Sequence, residues 1–332
     1  MYEWIFYQIQ QYKKDLDSYN QKLSQAGKNV VDSRSVIQKL TIQSEPNAKV
    51  SITNARNVTI TPYNDFSFNG VDKMGNGYIF KIINNAPASF DATWTGLSHL
   101  TYNGKRITKV IMHFKGDSYS NQNSQWGGGI TNNIYYGFHQ YQGSSTIHFE
   151  WFYEDGSKVN FENGTAYLAV ASLNTYFQKT RWGYERTTVI SGGKALALYG
   201  SSVSLHNENE LYSDKANTLD TTGRDIAAGG YDSKPWQPWV DSMFSNQKDI
   251  TNPNIPDKWD TADSPYRYYG AGLIALNGSD LTIKVDIKRD DAPKEVTHLW
   301  DNQWFNIGTV IPETPGSVTP PEIHYNHTNV AL

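Results

Sequence analysis

The chain reads as an all-β protein of two large antiparallel sheets, and three observations carry that reading. Short segments rich in β-branched and aromatic residues recur between about residues 36 and 311: AKVSI, NVTI, YIFKII, ITKVIMHF, TIHFEWFY, AYLAVASL and LTIKVDI, each bounded by Gly, Asn, Asp or Pro. Asn-Gly pairs at 69–70, 76–77, 103–104 and 163–164, with Asp155-Gly156, supply tight reversals that set consecutive strands antiparallel. Aromatic residues make up 14% of the chain, with 22 Tyr and 10 Trp against 4 Met, and mean hydropathy is −0.60, so many rings must lie in pleated strands or on wet surfaces rather than in a Leu-rich helical core.

The elements follow in order. Over residues 2–26 the apolar positions Tyr2, Ile5, Ile9, Tyr12, Leu16, Tyr19 and Leu23 step alternately by three and four, a heptad seam, while Lys13, Lys14, Asp15, Asp17 and Lys22 fill the other faces. The spacing predicts a helix, and Gly27 stands where a left-handed residue would stop it. The seam has two readings: packing on its own chain, or pairing with another helix. Residues 28–311 form the β body. After Ile311 comes PETPGSVTPPE, where Pro312, Pro315, Pro320 and Pro321 favour an extended polyproline segment over 312–332.

Composition narrows the function. The formal net charge of −4, from 29 Lys and Arg against 33 Asp and Glu, argues against a general polyanion binder, because phosphate backbones are held mainly by cations. With no cysteine, disulfides, thiolate metal sites and Cys nucleophiles are excluded. No apolar run approaches the roughly 20 residues of a membrane span, so no membrane insertion is expected. Phosphate-binding loops, a GxSxG elbow and HExxH are absent, which leaves enzyme chemistry resting on acidic loop residues such as the pairs Asp260 with Asp263 and Asp232 with Asp241. The expectation is a binding protein, not an enzyme.

The segment YDSKPWQPWVDSMF (231–244) places Trp236 and Trp239 beside Pro235 and Pro238, which suit neither helix interior nor central strand. A surface loop with paired indoles is the consequence. An indole face stacks on the C–H face of a pyranose while neighbours such as Asp232 bond its hydroxyls. RWGYER (181–186) adds Arg181, Trp182 and Tyr184; QWGGG (125–129) adds Trp126 before three glycines; WDTADSPYRYYGAG (259–272) adds Trp259, Tyr266, Arg267 and Tyr268, with Tyr269 better suited to the core. Glu154, Asp155, Asp232, Asp241, Asp260 and Asp263 are oxygen donors for a Ca²⁺ that would fix a loop, without EF-hand spacing.

Four runs, TYNGKRITKVIMHF, FEWFYEDGSKVNFENGTAYLAVASLN, ALYGSSVSLHNENELYSDKAN and WDTADSPYRYYGAGLIALNG, resemble successive blocks of the variable domain of the streptococcal antigen I/II adhesins and of glucan-binding protein C. EPNAKVSI (45–52) resembles the family's first strand, and both flanks resemble its stalk. The resemblance implies a lectin-like β-supersandwich on a stalk of helix and polyproline strand, displayed on a Gram-positive cell wall, with leader and anchor outside these residues. It also implies a metal near the cleft, and domains that bind without cleaving. The expected partner of this monomeric domain is an α-glucan or related glycan; host glycoprotein or extracellular DNA is the alternative.

Overall fold

The computed structural model describes residues 2–26, 29–33, 35–68, 72–83, 86–119, 127–141, 143–177, 182–214, 216–218, 259–260, 264, 266–290, 292 and 302–305. The N-terminal helix spans Tyr2–Ala26, as the heptad spacing predicts. Its seam is shielded progressively: Ile9 is exposed, Tyr12 and Leu16 are half-buried, and Tyr19 is buried. Gly27 and the proline segment lie outside the described residues.

An 11-stranded sheet dominates the β body. Its main path runs Val203–His206, Glu210–Ser213, Trp182–Ser191, Asp280–Lys288, Gly143–Tyr153, Lys105–Tyr119, Ala88–Thr95 and Lys49–Arg56, with every adjacent pair antiparallel. A 5-stranded antiparallel sheet runs Asn302–Phe305, Phe138–Tyr141, Gly127–Thr131, Asp72–Ile82 and Val58–Phe68. A 4-stranded sheet runs Val30–Val31, Gly193–Leu198, Gly272–Leu276 and Tyr167–Val170. One of its pairs, Val30–Val31 with Gly193–Leu198, is parallel, which hairpin-like sequence signals could not announce.

Alternation builds the core. Along Gly143–Tyr153 the residues Ile147, Phe149 and Trp151 turn inward, while His148 and Glu150 face the other way and stay partly exposed. The inward faces of all three sheets share one apolar cluster. Phe80 of the 5-stranded sheet lies 5.2 Å from Phe90 and 5.1 Å from Phe114 of the large sheet, centroid to centroid. The 4-stranded sheet is buried on both faces, since Tyr167, Ala169, Leu196, Leu198, Leu273 and Ala275 form a second cluster with Trp259, Tyr268 and Tyr269. This explains why AYLAV and GLIAL are apolar without interruption.

The Asn-Gly signals divide. Asn103 (φ 50°) and Gly104 (φ 76°) both take the left-handed conformation that a two-residue hairpin requires, between Thr101–Tyr102 and Lys105–Tyr119. Asn76-Gly77 is not a reversal. It sits inside the strand Asp72–Ile82, and Gly77 is there because a Cβ would meet the Ile130 carbonyl oxygen of the next strand at 1.9 Å. Asn69-Gly70 lies outside the described residues.

A fully buried carboxylate pins the segment that opens the body. Glu45 accepts from the amides of Ser98 (2.8 Å), His99 (2.6 Å) and Leu100 (2.8 Å) and from the Ser98 hydroxyl (3.0 Å). Its own amide donates to Asn133 Oδ1 at 2.9 Å. Removing the carboxylate would strand three backbone donors, so Glu45→Ala is expected to lose about 3 kcal/mol or more of stability in denaturant unfolding; a loss below about 1 kcal/mol would show the donors re-paired with water. At the Asp155-Gly156 turn, hydrogen bonds from the Ser157 hydroxyl and amide, then Lys105, hold the Asp155 carboxyl down at about 2. A depressed acid stabilises the fold above its unfolded value and loses that contribution as pH falls from about 4 towards about 2. A carboxyl NMR titration should place the Asp155 midpoint there, and an ordinary midpoint would contradict the capped turn.

Candidate ligand-binding site

The Trp236/Trp239 segment belongs to residues 219–258, outside the described residues, but the structure fixes the residues that bracket it. Thr218 and Trp259 are both buried, and Trp259 Nε1 donates to the Asn217 carbonyl at 2.8 Å, so the two brackets are joined directly. Asn217 is a fourfold connector: its Oδ1 accepts from the Thr175 amide (2.9 Å), and its Nδ2 donates to Leu173 O (2.9 Å) and Ser202 Oγ (3.0 Å). Thr218 Oγ1 donates to Thr175 O at 2.8 Å.

Beside this clamp lies an oxygen-rich group. Asp260 Oδ2 accepts from Asn174 Nδ2 (2.7 Å) and Ser172 Oγ (3.0 Å). Glu185, buried on the inward side of Trp182–Ser191, accepts the Asn174 amide at 3.1 Å. Asn174 Oδ1 is buried with no hydrogen-bond partner among the described residues. Ser172 holds φ at 62°, a left-handed value uncommon outside glycine, and thereby turns its carbonyl and hydroxyl towards Asn174 Nδ2 at 3.2 and 3.3 Å. Two carboxylates around a buried amide thus form a rigid polar base next to the clamp.

The rings singled out from sequence separate into classes. Trp259 is wholly inaccessible and packs edge-to-face on Tyr269 at 5.8 Å, so it has no face for a ligand; indole burial and the Asn217 bond make it a structural anchor. Tyr268, 5% exposed, is core as well, and its burial raises the phenol pKa. Trp182 and Tyr184 are also buried rather than exposed: they pack with Tyr212 and Ala216 on the outward side of the large sheet, with Lys288 Nζ 4.9 Å from the Tyr184 centroid. Tyr266 and Arg267 keep partial exposure, with Tyr266 packed against the Trp259 cluster. Tyr269 is core, as expected. Arg181, Trp126, Asp232, Trp236 and Trp239 lie outside the described residues.

The expected oxygen donors also divide. Asp260 lies in the polar base, whereas Glu154 and Asp155 pair with Arg106 and Lys105, each at 3.1 Å, on an exposed turn. Asp241 and Asp263 are outside the described residues. Sequence reasoning passed over Asn174, Asn217 and Ser172. A signal existed: two of the resembling blocks end on Asn174 and Asn217, and a third begins with Trp259-Asp260.

Comparison with known proteins agrees with this architecture. The family model for glucan-binding protein C matches residues 24–308. The solved glucan-binding protein C of Streptococcus mutans superposes with a TM-score of 0.60 at 20% identity, covering 94% of each chain. The adhesin domain of PrgB from Enterococcus faecalis, solved bound to DNA, gives a TM-score of 0.57 at 15% identity over 87% of this chain and 100% of that one. At these identities the solved structures establish a shared fold. The family match, taking in both flanking sheets and the whole polar base, places the chain in the glucan-binding protein C family.

Proposed function

We propose that this chain is a surface-displayed adhesin domain that binds an α-glucan through loops carried on the Asn217–Trp259 clamp. The observation that carries the reading is the family match over residues 24–308, which spans the β body and the clamp. Trp236 and Trp239 are the proposed stacking rings, with Tyr266 and Arg267 as partly exposed neighbours. Clamping the brackets of the loop reduces the ordering cost of presenting it to a ligand. Display on a Gram-positive wall and kinship with the antigen I/II variable domain belong to the same proposal.

DNA is the second reading, favoured by the DNA-bound adhesin domain of the same fold. Against it stands the net charge of −4. For the cation, the donor set beside the clamp fits Ca²⁺: the Asp260 carboxylate, the orphaned Asn174 Oδ1 and Ser172 Oγ are hard oxygen ligands. A bound ion there would tie Asp260 to the segment bearing Asn174, just ahead of the strand Thr175–Phe177.

Three measurements test these readings. Trp236→Ala with Trp239→Ala should weaken dextran binding by about fivefold or more with an unchanged melting temperature, whereas Trp259→Ala should cost about 3–5 kcal/mol of stability; intact dextran affinity in the double variant would remove the loop from the site. Dextran affinity should be nearly flat from low to high salt, and a steep fall would favour the polyanion reading. Added Ca²⁺ should raise the melting temperature of the unaltered, metal-stripped chain and leave that of metal-stripped Asp260→Asn unmoved; equal responses in both would exclude Asp260 as a Ca²⁺ ligand.

A further inference from the structure

On the outward face of the large sheet, away from the clamp, three side chains converge: His148, Glu150 and Asp280. Their donor atoms lie within 4.8 Å of one another. The placement follows from strand geometry. His148 and Glu150 are two apart on Gly143–Tyr153, so they share a face, and Glu150 is the direct cross-strand partner of Asp280. The inward neighbours Ile147, Phe149, Leu281 and Ile283 are buried in the core, which holds the backbone beneath the three groups rigid.

Two features distinguish this group from ordinary surface charge. His148 Nε2 is a buried atom with no hydrogen-bond partner among the described residues, and it points at Asp280 Oδ1 from 3.4 Å. Two ligands bound tetrahedrally at zinc distances stand about 3.4 Å apart, so this pair already has the required separation. Second, the ammonium of Lys158 contacts both Glu150 Oε1 and Asp280 Oδ1, the latter at 3.0 Å, and so stands where a cation between the carboxylates would. The other oxygen, Glu150 Oε2, is held by His113 Nε2 at 3.0 Å, and His113 Nδ1 is held in turn by Asp91 at 2.6 Å. That chain of contacts orients the Glu150 carboxylate in the way outer groups orient metal ligands.

We propose that His148, Glu150 and Asp280 form a site for a late first-row divalent cation, zinc above all, with Lys158 as the displaceable occupant. One imidazole and two carboxylates suit zinc better than calcium, which takes oxygen alone and more of it. Lys158 is half exposed on a flexible stem and is free to swing into solvent when the ion enters. Three protein ligands leave a fourth position for water or for a donor brought by a partner. The site joins two central strands, so the ion would also brace the middle of the large sheet.

Isothermal titration of zinc into the chelator-stripped full chain should show one equivalent bound. His148→Ala should weaken it at least about tenfold, with an unchanged circular dichroism spectrum, because Nε2 makes no hydrogen bond among the described residues. Lys158→Gln should tighten it, since the competing ammonium is gone, and an excess of Ca²⁺ should leave all three isotherms unmoved. Absence of one-equivalent binding in the unaltered chain, affinity unchanged in His148→Ala, or weaker binding in Lys158→Gln would each overturn the assignment.

Discussion

A sheet as broad as the 11-stranded one has one main apolar face to hide, and no other sheet in the described structure is wide enough to hide it alone. The 5-stranded and 4-stranded sheets divide that task, and the shared core of Trp94, Phe114, Phe149, Trp151 and Ile283 with Phe80, Ile130, Ile274 and Leu276 records the division. Burial of this area supplies the main driving force for the fold. It also fixes register, because a slip of one residue would send every inward ring to the solvent side. Two consequences follow: the outward face is left free for charged residues, and the 4-stranded sheet acquires a second buried side.

That second side is where fold becomes site. The outer cover of the 4-stranded sheet is built from the turn carrying Trp259 and the short 3-10 segment Arg267–Gly270, both of which bring rings down onto Tyr167, Leu196 and Leu273. Gly270 has to be glycine because a Cβ would meet the Trp259 ring at 2.2 Å. Polar groups that enter such a dry region need partners. Asn217, Thr175, Ser202 and Thr218 satisfy one another there and join the brackets of residues 219–258. The same rings that look like ligand contacts in a sequence are therefore the foundation on which a loop is mounted.

Much of this was legible in the sequence, and the failures have physical causes. The helix over Tyr2–Ala26, the β body and the Asn103-Gly104 hairpin follow from periodicity and turn chemistry, both local. Asn76-Gly77 misled because a dipeptide signal does not distinguish a turn from a strand pressed by its neighbour, and the neighbour, Gly127–Thr131, is distant in sequence. Trp182, Tyr184 and Trp259 misled for a related reason: proximity to Pro, Gly and charge raises the expectation of exposure, while burial depends on what packs above, which is Tyr212 and Ala216 in one case and Tyr269 in the other. Asn174 and Asn217 carry no chemical motif beyond their places at the ends of two blocks, and their roles exist only once segments far apart in sequence, at 172–175, 185, 202 and 259–260, meet. Parallel pairing of Val30–Val31 is likewise a long-range fact.

The low identities to adhesins of the same fold, 20% and 15%, indicate which features the architecture demands. Core positions tolerate exchange among residues of similar volume, so a sandwich of this kind persists while its sequence drifts. Ligand choice must then reside in what the scaffold carries rather than in the scaffold, since fold alone does not specify function. Within this chain the outward face of the large sheet is tied up in cross-strand ion pairs such as Arg186 with Asp286, two contacts of 2.8 Å that raise the guanidinium pKa further above its ordinary value. A cation so engaged is not available to grip phosphate. Net negative charge together with an arginine so paired makes the described scaffold a poor grip for a phosphate backbone.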